Sequence, residues 1–156
     1  MTRPRLTGYE HSSLLAEAAR QLLVNRERNY PDLVAGGQLS PAAAEAGLRC
    51  ARALYAQWCW IIDPNSRPLP SFDMQAGGYF GAPSSEIAAD LARTAERTRR
   101  HAAKSSDGPE AALLAECYAA LAWCQKEDWI VAMISDARII TQQLRDALAP
   151  ALLKAA

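Results

Sequence analysis

The amino-acid sequence predicts an all-α fold, a single domain over residues 1–156 in which about five helices form a bundle. Alanine dominates the apolar residues, and long stretches carry apolar side chains at the spacing of one helix face. A chain of 156 residues can bury one core, and its 50% apolar and 22% charged residues are typical of a globular protein. Composition and spacing therefore agree on one helical domain.

The first helix is predicted to run to about Arg28. Its start fits a capping box at Thr7, although Ser12 or Ser13 could cap it equally well. Pro31 is expected to end it, because the residue before a proline avoids the α conformation. One apolar stripe is expected to face the core, formed by Leu15, Ala18, Ala19, Leu22 and Leu23.

The connector between the first two helices predicts a helical hairpin. A glycine pair ending at Gly37 permits the positive φ of a chain reversal. Ser40 is a favourable N-cap, and Pro41 occupies the first helical position, where its missing N–H costs little. The second helix is expected to end at about Ile62, with Tyr30 lying between the two arms.

A pattern around residues 20–50 extends this hairpin to particular side chains. Its members are an arginine near the helix end, Tyr-Pro, and a series of apolar, glycine, serine and alanine positions: Arg26, Tyr30, Pro31, Val34, Gly37, Leu39, Ser40, Ala44 and Leu48. The pattern resembles a hairpin in small phage- and prophage-encoded proteins of unknown function. It departs from them at Leu33, where that group often has Trp, and at Gly47, where it often has an acid. The resemblance implies a helical hairpin and a mobile-element origin, and it assigns no catalytic residue.

Residues 63–83 break the helical pattern and predict a long loop. A connection of this length is unusual inside a compact domain unless it is ordered. Its large apolar side chains are Leu69, Phe72, Met74, Tyr79 and Phe80. Because this content is too apolar for a free linker, we expect the loop to pack across one side of the bundle.

The carboxyl-terminal half is predicted to hold the remaining helices. A third helix is expected to be capped by Ser84 or Ser85 and to end at about Ala103. Residues 110–149 contain no Gly or Pro, so they form either two helices that change direction near 125–128 or one long helix. The expected buried stripe of the last helix is Ile130, Met133, Ile134, Ala137, Ile140 and Leu144.

The stretch 111–124 is apolar apart from Glu116. A helix that is apolar nearly all round must be buried, so we expect this one to be the most buried element, central in the monomer or covered in a dimer. Glu116 is a possible buried carboxylate on this helix, and in that setting it could act as a general acid or base. The alternative is that it marks a thin exposed edge.

The overall charge and the thiols limit the classes of partner and compartment. Lys plus Arg number 17, and Asp plus Glu also number 17. The chain therefore has no net positive charge that would attract nucleic acid or an anionic membrane. The amino terminus has basic residues but no apolar run after them, and the stretch 111–124 is too short to span a bilayer. Four cysteines without an export signal indicate free thiols in the cytoplasm. We expect no membrane partner.

The residues that most often carry metal or covalent chemistry do not form a recognisable motif. They are Cys50, Cys59, Cys117 and Cys124 with His11 and His101. The two cysteine pairs are nine and seven residues apart, which is not zinc-site spacing. No nucleophile elbow or phosphate-binding loop is present either. The sequence therefore predicts no metal, no cofactor and no catalytic residue, and it favours a protein that is not an enzyme.

One basic stripe is the strongest positive signal for a partner. Arg93, Arg97, Arg100 and Lys104 follow a 4-3-4 spacing, which places them on one helix face, where they could bind nucleic-acid phosphates. Acidic residues, Glu86 and Asp90, continue the same face at the start of the helix. Acid first and base last also suits the helix dipole, so a solvated face is the favoured interpretation.

Three functional hypotheses remain from the sequence. The first is an α-helical interaction module that is homo-oligomeric and not an enzyme. The second is a nucleic-acid accessory protein that uses the basic stripe. The third is a small-molecule-binding protein or enzyme with a site between Glu116 and the loop at 63–83.

Overall fold

The computed structural model describes residues 2–63 and 71–155, and it describes 127–135, 137 and 138 by their backbone alone. In these residues the chain forms five α-helices and no strand, which confirms the predicted all-α fold. The helices are α1 (Ser12–Ala35), α2 (Pro41–Ile62), α3 (Ser84–Ala102), α4 (Gly108–Cys124) and α5 (Glu127–Ala155). A short 3₁₀ turn at Tyr9–His11 precedes α1.

Helix α1 is longer than the sequence predicts. It passes through Pro31 and ends at Ala35, so the expectation that Pro31 terminates it is wrong. An interior proline removes one backbone hydrogen bond, and here the helix continues despite that loss. The chain reverses at the glycine pair instead, where Gly37 has a φ of 71° and the Gly36 N–H donates to the Asp32 carbonyl at 2.9 Å.

Helices α1 and α2 form an antiparallel hairpin. Ser40 caps α2, because its hydroxyl accepts the Ala43 N–H at 3.1 Å, and Pro41 occupies the first turn. Tyr30 is half-buried between the two helices and lies against Gly47 of α2. The local signals of residues 36–41 thus produce the turn that brings Tyr30 and Gly47 together.

A second hairpin, α3 with α4, packs on the first and completes the core. The largest fully buried side chains include Leu15, Leu54, Trp58, Ile61, Leu91 and Leu121. Helix α2 has ten buried residues and α4 has six, so the helix at 111–124 is not the most buried element. The first turns of helix α4 are less covered, and Ala112 and Leu113 there are exposed.

The described part of the long loop packs on the bundle only in part. Phe80 contacts the core, with its ring centroid 6.4 Å from that of Trp60, and Ala82 is buried. Phe72 and Tyr79 form an edge-to-face pair at 5.1 Å but remain exposed, as does Met74. Leu69, which we expected to pack inward, lies outside the described residues.

Helix α5 is separate from α4 and contacts α2 and α4 over a short stretch. Ile140 and Leu144, expected in a buried stripe, are 39% and 59% exposed, so that expectation is wrong for them. The reason is that no other described element covers this face. The other members of the expected stripe lie outside the described side chains, and they are Ile130, Met133, Ile134 and Ala137. Neither α5 nor any other helix in the described ranges is long and apolar enough to cross a membrane.

Candidate functional site

A buried arginine joins helices α1, α2 and α3. Arg26 of α1 is 4% exposed, and its Nη1 donates to Asp90 Oδ2 of α3 at 2.7 Å and to the Gly47 carbonyl of α2 at 2.6 Å. Its Nη2 donates to Thr94 Oγ1 of α3 at 3.0 Å. The Tyr30 ring lies 5.7 Å from the guanidinium carbon. We call Arg26, Gly47, Asp90 and Thr94 the arginine network.

The side chains of the arginine network are largely shielded from water, since Arg26, Asp90 and Thr94 are all buried. On α4, burial raises the pKa of Tyr118 to about 12, although the positive charge of Arg26 acts in the opposite direction. Removing a charge from water is costly unless geometry and hydrogen bonds compensate. Here Arg26 has a carboxylate, a carbonyl and a hydroxyl as acceptors, so its charge is well compensated.

The sequence did not reveal this network. Asp90 was assigned to a solvated face with the basic stripe, but its side chain is only 12% exposed. Arg26 was named only as a position of the hairpin pattern, with no role attached. Its two partners on α3 follow it by 64 and 68 residues, and no local pattern links positions so far apart.

Gly47 is the position where the network and the hairpin meet. A Cβ added there would lie 2.8 Å from the Tyr30 hydroxyl oxygen and 3.0 Å from its Cε2. Glycine weakens a helix interior by about 1 kcal/mol relative to alanine, so its presence in α2 requires a reason. Close approach of Tyr30 supplies that reason.

We expect Gly47→Ala to have opposite effects in two backgrounds. In the wild-type chain the added methyl group crowds Tyr30 and should lower the free energy of unfolding by about 1 kcal/mol, because overpacking outweighs the gain in helix propensity. In a Tyr30→Ala background the same change should raise it by up to about 1 kcal/mol. Urea titrations of the four chains measure both effects, and equal signs would contradict the proposed contact.

A groove of about 1020 Å³ lies between α2 and α3, beside the arginine network. Small side chains line it, namely Ala43, Ala46, Gly47, Cys50, Ala89 and Ala92. Burial raises the pKa of the Cys50 thiol, so it contributes a neutral group. Tyr30 and Leu39 complete the apolar part of the lining. We refer to this feature as the α2–α3 groove.

The charged residues of the α2–α3 groove balance one another. Three arginines and three carboxylates line it: Arg49, Arg93, Arg97, Glu86, Asp90 and Glu96. Arg49 Nη2 donates to Glu86 Oε2 at 2.8 Å and so connects the two helices. With three charges of each sign, the lining has a formal net charge of zero, which gives no preference for an anionic or a cationic ligand.

The structure distributes the basic stripe among different environments. Arg93 is exposed and lies 3.9 Å from Asp90, and Arg100 Nε donates to Glu96 Oε1 at 2.9 Å. That hydrogen bond and the charge of Arg100 hold the pKa of the Glu96 carboxyl below its usual value. Among the described contacts, the exposed Arg97 and Lys104 have no ion-pair partner. The four basic residues lie on one helix face, but the charges of two of them, Arg93 and Arg100, are offset by nearby carboxylates.

Glu116 is not a buried carboxylate. Its side chain is 49% exposed, and Oε2 accepts a hydrogen bond from Arg5 Nη2 at 3.0 Å. The face of α4 that carries it, with Ala112, is the thin exposed edge that was the alternative prediction. The hypothesis of a buried acid beside the loop at 63–83 is therefore wrong.

The four cysteines are free thiols, and Cys50, Cys117 and Cys124 are buried while Cys59 is half-buried. In the part of the chain that the structure describes, no three His, Cys, Asp or Glu residues form a group that could hold a metal ion. The arginine network, the α2–α3 groove and the exposed face of α5 are thus the features that could carry a function.

Comparison of the chain with protein-family models, curated proteins and solved structures finds no match.

Proposed function

We propose that the protein is a helical interaction module that associates with copies of itself through α5. The observation that supports this function is a row of large apolar side chains at four-residue spacing along the helix. They are Ile140, Leu144, Leu148 and Leu152, and they are 39%, 59%, 56% and 69% exposed. We call these four residues the α5 stripe.

The α5 stripe has the properties of an interface. Contiguous exposed apolar surface is rare on a monomer and marks places where another surface binds. Its polar neighbours, Arg145 and Asp146, carry opposite charges, so two copies of this segment do not repel each other strongly. Pairing two such stripes would bury on the order of 1,000 Å², which is at the low end for a specific interface.

A nucleic-acid accessory function has less support. Arg100 donates a hydrogen bond to Glu96, and Arg93 lies 3.9 Å from Asp90. Only Arg97 and Lys104 of the stripe offer uncompensated charge in the described residues, and two phosphate contacts give weak binding, with a slope of only about −2 in log K against log salt concentration.

The four free thiols suit the reducing cytoplasm, which we propose as the location of the protein.

The test is the oligomeric state of a stripe variant. Leu144→Glu with Leu148→Glu places two charges in the α5 stripe and should convert the wild-type oligomer to a monomer. Sedimentation velocity from about 1 μM to about 1 mM covers the range of weak dimers. A wild-type chain that stays monomeric throughout this range would refute the proposed function.

Leu153→Glu is the matched control. Leu153 is 80% exposed on the same helix, but it lies about 140° around the axis from Leu148 at 100° per residue. We expect this variant to associate as the wild type does. Circular dichroism of both variants checks that α5 remains helical, so that a loss of association reflects the stripe alone.

A further inference from the structure

We propose that the α5 stripe of one copy binds in the α2–α3 groove of a second copy, and that two copies exchange their α5 helices reciprocally. This inference rests on the proposed function, because it names the surface that receives the helix. It commits to a second copy of this chain as the partner, and the described structure offers four observations that favour it.

The first observation is a match in length. Along α3 the groove extends from Glu86 to Arg97, which corresponds to about 17 Å at the rise of an α-helix. The α5 stripe extends from Ile140 to Leu152, which corresponds to about 18 Å. The helix face and the groove could therefore contact each other along their whole lengths.

The second observation is a match in side-chain size. Between its charged residues the groove presents mostly small side chains, four alanines, a glycine and a cysteine, whereas the α5 stripe consists of one isoleucine and three leucines. Helices pack by placing large side chains of one surface into spaces left by small side chains of the other. The volume of about 1020 Å³ is at the upper end of cavities that hold whole small ligands, so several side chains fit within it.

The third observation is charge. The lining of the groove sums to zero, and residues 136–155 carry Asp136 and Asp146 against Arg138, Arg145 and Lys154. Neither surface repels the other. A nucleic acid would gain little from a groove whose arginines are balanced by carboxylates.

The fourth observation is the area that a stable dimer needs. Two α5 helices that paired only with each other would bury on the order of 1,000 Å² and would leave both grooves empty. Reciprocal exchange buries two stripes and two grooves, on the order of 2,000 Å², which is within the range of stable homodimers.

The experiment blocks the groove without touching α5. Ala89 is exposed and lines the groove, so Ala89→Trp should fill it and raise the dimer dissociation constant by more than about tenfold. Ala112→Trp, at an exposed alanine of α4 outside the groove, is the matched control and should leave association unchanged. Ala43→Glu, at another exposed alanine of the lining, is a second groove variant with the same expected loss.

Mixing two variants separates this inference from the proposed function. The Ala89→Trp chain keeps an intact α5, and the Leu144→Glu/Leu148→Glu chain keeps an intact groove. An equal mixture should associate more tightly than either variant alone, because only the mixture offers an intact stripe together with an intact groove, although it should associate more weakly than the wild type. If the groove variants dimerise as tightly as the wild type, or if the mixture associates no more tightly than the separate variants, the groove is not the binding surface, although self-association through α5 stands. A monomeric wild type would overturn both proposals.

Discussion

Replacing Arg26 with alanine is expected to lower the free energy of unfolding by about 3–5 kcal/mol, the usual cost of breaking a buried ion pair from one side. The substitution leaves the Asp90 carboxylate, with a side chain 12% exposed, without the guanidinium that lies 2.7 Å from it. It also removes the donors of the Gly47 carbonyl and the Thr94 hydroxyl. Urea titration followed by far-UV circular dichroism measures the change.

Two further variants test the cause of this effect. Arg20 pairs with Glu17 at 2.6 Å on the exposed surface of the same helix, so Arg20→Ala should change the free energy of unfolding very little. Arg26→Met combined with Asp90→Leu removes both charges and should recover much of the loss, since no unpaired charge remains buried. An Arg26→Ala effect no larger than that of Arg20→Ala would show that the network is not a stabilising feature.

Leu91→Ala is the second large effect that we expect. Leu91 of α3 is 0% exposed and lies in the main apolar cluster between the two hairpins. Truncating a fully buried leucine destabilises a protein by about 2–5 kcal/mol, because transfer free energy is lost and a cavity remains. The melting temperature and the urea midpoint should both fall clearly.

Leu113 supplies the control for Leu91. It is a leucine in the adjacent helix α4, but it is 44% exposed. Leu113→Ala should therefore change the free energy of unfolding by less than about 1 kcal/mol. Similar effects at the two positions would contradict the placement of α3 and α4 in the core.

The sequence predicts the elements that are determined by neighbouring residues. Helix α2 begins where Ser40 and Pro41 place it, because both the capping hydroxyl and the fixed φ of proline act within one turn. The reversal at Gly37 is predictable for the same reason, since its φ of 71° suits glycine. The sequence does not decide whether α4 and α5 are two helices or one, because residues 110–149 contain no Gly or Pro to break a helix.

The sequence predicts least well what depends on distant contacts. Pro31 lies inside α1, although the residue before a proline disfavours the α conformation. The partner of Arg26 lies 64 residues away, and the exposure of Glu116 follows from which faces of α4 find a neighbour. Periodicity identifies Ile140 and Leu144 as one apolar face, but it does not show that no other element in residues 2–63 and 71–155 covers this face.

The span of the arginine network also has a consequence for how the chain folds. Helix α1 pairs with α2, and α3 with α4, across short connections, so each hairpin can form early from contacts that are close in sequence. Arg26 and Asp90 meet only when the two hairpins dock. A docking one turn out of register would bury these charges without their partners, at a cost of several kcal/mol. The network therefore selects the register in which the two hairpins join, in addition to holding them once they have joined.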